Sequence, residues 1–72
     1  MKLNELSINK EGKIKYIKQS NIKRRLMDMG LNKNIIIKPV LINKNIKAYS
    51  VKNTIIALRD KDAKNIEVEI WG

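Results

Sequence analysis

Seven carboxylates, Glu5, Glu11, Asp28, Asp60, Asp62, Glu67 and Glu69, are the acidic groups this 72-residue chain has for acid-base or metal chemistry, and it has no histidine and no cysteine to go with them. Without imidazole or thiolate, Ser7, Ser20, Ser50 and Thr54 have no ordinary base to activate them, and thiol nucleophiles, disulfides and the usual zinc sets are excluded. Asp60 and Asp62 are close in sequence, but Lys61 separates them and no glycine-bearing calcium loop surrounds them. They read as a helix cap and a solvated surface. Glu67 and Glu69 fall on one face of an alternating segment, most simply its solvent side. No glycine-rich phosphate loop is present. The expectation is a non-enzymatic chain with no catalytic residues, no cofactor and no metal ligands.

The remaining chemistry is positive charge. Sixteen Lys and Arg against seven Asp and Glu give a formal net charge of +9, and the densest block is Lys23-Arg24-Arg25, with Lys13, Lys15 and Lys18 shortly before it. One reading is an anion-binding surface, suited to an acidic protein, headgroups or phosphate. The other is compositional: Lys, Asn and Ile are used heavily throughout, and the cations are the solvated faces of an amphipathic strand and helix. A nucleic-acid-binding barrel is the alternative function that the charge suggests. The aromatic side chains speak against it, because single-strand binders stack bases on exposed rings, and this chain has only Tyr16, Tyr49 and Trp71.

The clearest element that could position these groups is a short helix within Ser20–Leu31. Ser20 or Asn21 can cap its first amides, Ile22, Leu26 and Met29 recur at helical spacing, and Gly30 suits the left-handed residue that ends a helix. Around it the pattern is β. Leu3, Leu6 and Ile8 lead to a turn at Lys10-Glu11-Gly12, and Lys13–Lys18 alternates as a first strand. The apolar run from Ile35 to Ile42 is a second strand interrupted near Pro39, which donates no ladder hydrogen bond and points to an edge, a bulge or a break. Asn43-Lys44-Asn45 is a hairpin loop. Ile46–Val51 and Thr54–Arg59 are paired strands joined by the two-residue turn Lys52-Asn53, with Asn53 able to take positive φ. One helical turn fits at Asp60–Lys64, capped by Asp60, and Ile66–Trp71 alternates as a final strand.

These elements predict one domain spanning residues 1–72, mainly β: a small SH3-like barrel of about five strands with one short helix inserted after the first strand, the OB-type barrel being the competitor. The core is expected from Ile22, Leu26, Met29, Ile56, Leu58, Ile66 and Val68. Two features can bind a partner. One is the basic block Lys23, Arg24 and Arg25; the other is a groove in which Tyr16, Leu41 or Tyr49 serve as apolar contacts, core packing being the alternative use of each. No apolar run approaches the ~20 residues of a membrane span, and Met1–Asn9 lacks the apolar stretch of a signal peptide. A cytoplasmic protein without membrane insertion is expected.

Several landmarks occur in a familiar order. Gly12 precedes a first strand, Arg25-Leu26 is followed by Met29-Gly30-Leu31, and then come Ile56-Ala57-Leu58-Arg59, Asp62-Ala63 and Ile66-Glu67-Val68. Together they resemble the FeoA family of ferrous-iron-transport accessory domains, over about Leu3 to Ile70. The chain departs from that pattern at Lys33-Asn34, where the family commonly has Pro-Gly, at the Asn43-Lys44-Asn45 loop, and at Asn53, where glycine is usual. The resemblance implies an SH3-like module that acts by protein-protein interaction on the cytoplasmic side of the FeoB ferrous iron transporter, or that self-associates. The same fold closes DtxR-type repressors, whose winged-helix and metal-ligating segments this chain lacks.

Overall fold

The computed structural model of the chain describes every residue except Gln19. A 3-10 turn at Leu3–Glu5 leads to β1 (Gly12–Ile17), α1 (Lys23–Asp28), β2 (Ile36–Ile42), β3 (Ile46–Val51), β4 (Thr54–Arg59), α2 (Asp60–Ala63) and β5 (Ile66–Ile70). All pairings are antiparallel, in the order β4-β3-β2-β1-β5. The Cα extents, 27 × 26 × 22 Å, are nearly equal. A flat five-stranded layer would be far thinner in one direction, so the sheet is curled around its core.

The curl is made in β2, where Pro39 stands. The first part of β2 pairs with β1 through Ile36 and Ile37, and the rest pairs with β3, with a register shift between Pro39 and Leu41. The expected break is therefore a bulge at Val40 inside a continuous strand, and such an extra residue bends and twists the strand it enters. Why proline is tolerated follows from the ladder. The two-residue turn makes Val51 and Thr54 a hydrogen-bonded pair, and alternation then makes Tyr49 and Ile56 another. Tyr49 thus turns its backbone groups toward β4, so Pro39 opposite it faces away from β3. On that side the pairing with β1 has already ended at Ile37, and the Pro39 carbonyl accepts the Asn9 N–H at 2.8 Å. No ladder bond is lost.

The β3–β4 hairpin has the expected bounds, with Lys52 and Asn53 both left-handed at φ 49° and 65°. Those are the angles of a type I′ turn, whose twist matches that of the strands. Asn34 is likewise left-handed, φ 73°. It adopts a conformation glycine takes readily, which explains how Lys33-Asn34 can replace Pro-Gly after the helix.

Helix α1 is shorter than the sequence pattern predicts. Its N-cap position is Ile22, and among the described residues no side chain caps it; Ser20 contributes its carbonyl to the Lys23 N–H, and its hydroxyl is buried without a partner among them. The chain is still in a turn at Ser20 and Asn21, so neither occupies the capping position. The other end is closed as expected. With Gly30 at φ 93°, Leu31 N–H reaches the Leu26 carbonyl and Gly30 N–H the Met27 carbonyl, the two bonds of a Schellman motif. Leu26 and Leu31, the apolar pair of that motif, are both buried. Asp60 is also not a cap: β4 remains extended to Arg59, which takes the N-cap place, and Asp60 becomes the first helical residue.

The core comprises Leu3, Leu6, Ile14, Ile17, Leu26, Leu31, Ile37, Tyr49, Val51, Leu58, Ala63, Ile66 and Val68. Of the expected set, Leu26, Leu58, Ile66 and Val68 are buried, and Ile22 and Ile56 pack against the cluster from its margin. Met29 is the correction: as the C-cap residue of a six-residue helix it remains 38% exposed. The final strand alternates only as far as Val68, and Ile70 and Trp71 are exposed, with Lys13 Nζ 4.6 Å from the Trp71 ring centroid.

Gly12 opens β1 and is buried, instead of forming the turn before it. A Cβ here would lie 2.9 Å from Leu6 Cδ2 and 3.3 Å from Val68 Cβ. Gly12→Ala is therefore expected to overpack the site and destabilise by about 1–3 kcal/mol. A denaturation midpoint equal to the parent's would show that Leu6 moves aside at no cost.

Candidate docking face

Short helices have few faces, and α1 uses all of its own. Ile22 and Leu26 turn toward the core. Lys23 and Met27, four residues apart, share a second face. There they meet Tyr16 and Leu31 in a depression of about 210 Å³ with Lys15 and Lys33 on its rim. A neighbouring, more open depression of about 550 Å³ also includes Lys23 and Met27, and adds Arg24 and Asp28. Tyr16 and Met27 are half exposed, so the face combines an apolar floor with four cations and one carboxylate. Lys15 lies 3.5 Å from Glu69, an exposed pair of small energetic weight.

Of the residues expected to contact a partner, Tyr16, Lys23 and Arg24 are brought together here. Arg25 is on the opposite flank of α1, in a cleft beside Arg59 and Asp62. Leu41 is 60% exposed, but it lies in the part of β2 that pairs with β3 and lines neither depression. Tyr49 is corrected: its side chain is fully buried in the core, and its Cα stands opposite Pro39 in the β2–β3 ladder. Met27 and Lys33 were missed. The Lys23-to-Met27 interval was the available signal for Met27, whereas Lys33 reaches the face only through the chain path after Gly30.

Three other carboxylates are engaged elsewhere. Asp60 lies 3.4 Å from Lys47 Nζ and accepts a hydrogen bond from Asn4, while Asp62, expected on the solvated surface, is 9% exposed and bonded to Arg59 Nε at 3.2 Å. The N-terminal ammonium, 2.6 Å from Glu67, holds that carboxyl below its usual range, with Lys18 and Lys2 adding to the effect. Among the described residues no three carboxylates gather as a metal site would require.

Burial, with a smaller contribution from Asp60, pushes the Tyr49 hydroxyl up to about 12 from 10. Its oxygen has no hydrogen-bond partner among the described residues. Below pH 10 the folded and unfolded chains both hold the proton. Between about pH 10 and 12 the unfolded chain loses it first, so stability falls as pH rises through that window. Tyr49→Phe is expected to keep or raise stability near neutrality, by up to about 1 kcal/mol, because an orphaned hydroxyl is removed. It should also flatten the alkaline loss. Parallel melts of parent and variant check both, and an equally steep alkaline limb in the variant would contradict the assignment.

The curled five-stranded sheet, the helix inserted after β1 and the apolar, cation-rimmed face define a small SH3-like barrel. Comparison places it more narrowly: an FeoA-domain family model matches residues 1–70, and the chain belongs to the FeoA family. An FeoA-like protein from Clostridium acetobutylicum superposes with a TM-score of 0.90 at 29% identity, over 97% of this chain and 85% of that one. FeoA from Stenotrophomonas maltophilia, solved with zinc and described as a prokaryotic SH3 domain protein and candidate ferrous iron transport activating factor, gives 0.86 at 26%, over 96% and 89%. FeoA from Chlorobium tepidum, at 23% identity, shows the same fold with a TM-score of 0.87 over 100% of this chain and 71% of that chain. No match was found among curated protein sequences. Among the described residues no helix is long and apolar enough to cross a membrane.

Proposed function

We propose that this chain is a non-enzymatic, single-domain accessory protein of ferrous iron uptake. It works in the cytoplasm by docking on the cytoplasmic part of an FeoB-type transporter. The FeoA-domain match over residues 1–70 carries the reading. The Tyr16–Met27 floor with Lys15, Lys23, Arg24 and Lys33 around it supplies a surface of the right kind, apolar at the centre and charged at the rim. Such a surface selects an acidic partner and speeds its encounter, with both effects weakening in salt. The test is co-purification of the tagged chain with the transporter, together with ferrous iron uptake in cells deleted for the chain. Association and reduced uptake are expected; no association and unchanged uptake would remove the reading.

A further inference from the structure

The two edges of the sheet are treated differently. The β5 edge is covered: the Val68 N–H donates to the Met1 carbonyl, the N-terminal ammonium donates to the Val68 carbonyl, Lys2 bridges to Glu67, and Glu67 and Glu69 add charge. The β4 edge has none of these devices. Counting from the hydrogen-bonded Val51–Thr54 pair, Ile55 and Ala57 turn their N–H and C=O groups away from β3. Among the described residues no strand lies on that side. Both residues are exposed, and β4 carries neither proline nor an inward charge before Arg59. An uncharged, uncovered edge is a template for another strand, and proteins ordinarily blunt such edges.

Beside this edge lies the cleft on the far flank of α1, about 210 Å³, floored by Ile22, Leu26 and Met29 and bounded by Ala57 and Arg59 of β4. It is smaller than the ~300–1,000 Å³ of small-molecule sites and better suited to a single side chain. Its charge is unbalanced. Asp62 is already bonded to Arg59, and Arg25 makes no ion pair among the described residues.

We propose that the free edge of β4 and the Ile22–Met29 cleft bind an extended acidic peptide segment of a partner protein by strand addition. Its backbone would pair with Ile55 and Ala57. Residues two apart on the added strand share a face, so one apolar side chain would enter the cleft and an acidic side chain two residues away would meet Arg25. A second copy of this chain is disfavoured as the occupant, because each copy carries +9 and like net charges repel. This site is on the opposite flank of α1 from the Tyr16–Met27 face and stands independently of the transporter reading.

The experiment is panning of a random-dodecapeptide display library on the full chain, followed by synthesis of an enriched peptide. Enriched sequences should carry an acidic residue two positions from an aliphatic one. Peptide binding should slow amide exchange at Ile55 and Ala57. Arg25→Glu should weaken it by about tenfold or more, and Ala57→Pro, which removes only an outward donor, should do the same. Lys23→Glu with Arg24→Glu should leave it nearly unchanged. Should Ala57→Pro fail to fold, Arg25→Glu and the exchange data decide. No enriched sequence, a consensus without acidic residues, or a peptide that survives Arg25→Glu and protects neither amide would overturn the proposal.

Discussion

Replacing Leu26 by Ala is expected to cost about 2–5 kcal/mol. For 72 residues the whole stability is on the order of 4–11 kcal/mol, so the variant should be partly unfolded at moderate temperature. Leu26 is almost completely buried, and it occupies the position in the Schellman motif whose side chain meets Leu31. Truncation thus loses apolar burial and loosens the hydrophobic latch that holds the exit from α1 against the barrel. The face bearing Met27 and Lys23 depends on that latch. Urea denaturation is the measurement. A lower midpoint at unchanged slope is the expected result, and an unchanged midpoint would show that α1 contributes little to the folded state.

Lys23→Glu together with Arg24→Glu is expected to separate binding from stability. Each reversal changes the charge by two units, taking the net charge from +9 to +5, and both changes fall on the rim of the docking face. Arg24 is exposed and Lys23 half-buried, so the melt should move by no more than about 1 kcal/mol. If the chain docks on the transporter as proposed, association with its cytoplasmic domain should weaken by about tenfold or more, mainly through slower association, and the parent interaction should decline with added salt. Equal affinity with an equal melt would assign these charges to solubility. A collapsed melt would mean that one of them supports the fold.

Where local chemistry decides, the sequence was readable. The turn at Lys52-Asn53 and both flanking strands fell at the expected residues, because a two-residue turn fixes register by itself. Gly30 ended α1 as expected, because few other residues take φ near 90° without strain. The basic block was legible as charge. Its division was not: a six-residue helix separates Lys23 and Arg24 from Arg25 by rotation alone, and each flank then faces a different neighbour.

The order of the five strands with a short helix after the first of them, the exclusion of histidine and cysteine chemistry, and the family resemblance were all determined by the sequence. Each depends on residue type or on neighbours a few positions away. Only the tertiary structure decided the rest. It placed Leu3, Leu6 and Gly12 inside, buried Tyr49, left Met29 at the surface, made of the expected break near Pro39 a bulge at Val40, and left the β4 edge open while covering that of β5. These outcomes depend on which distant segments meet. Burial is a property of the whole closed sheet, and a ladder bond is missed only if a strand lies on that side to receive it.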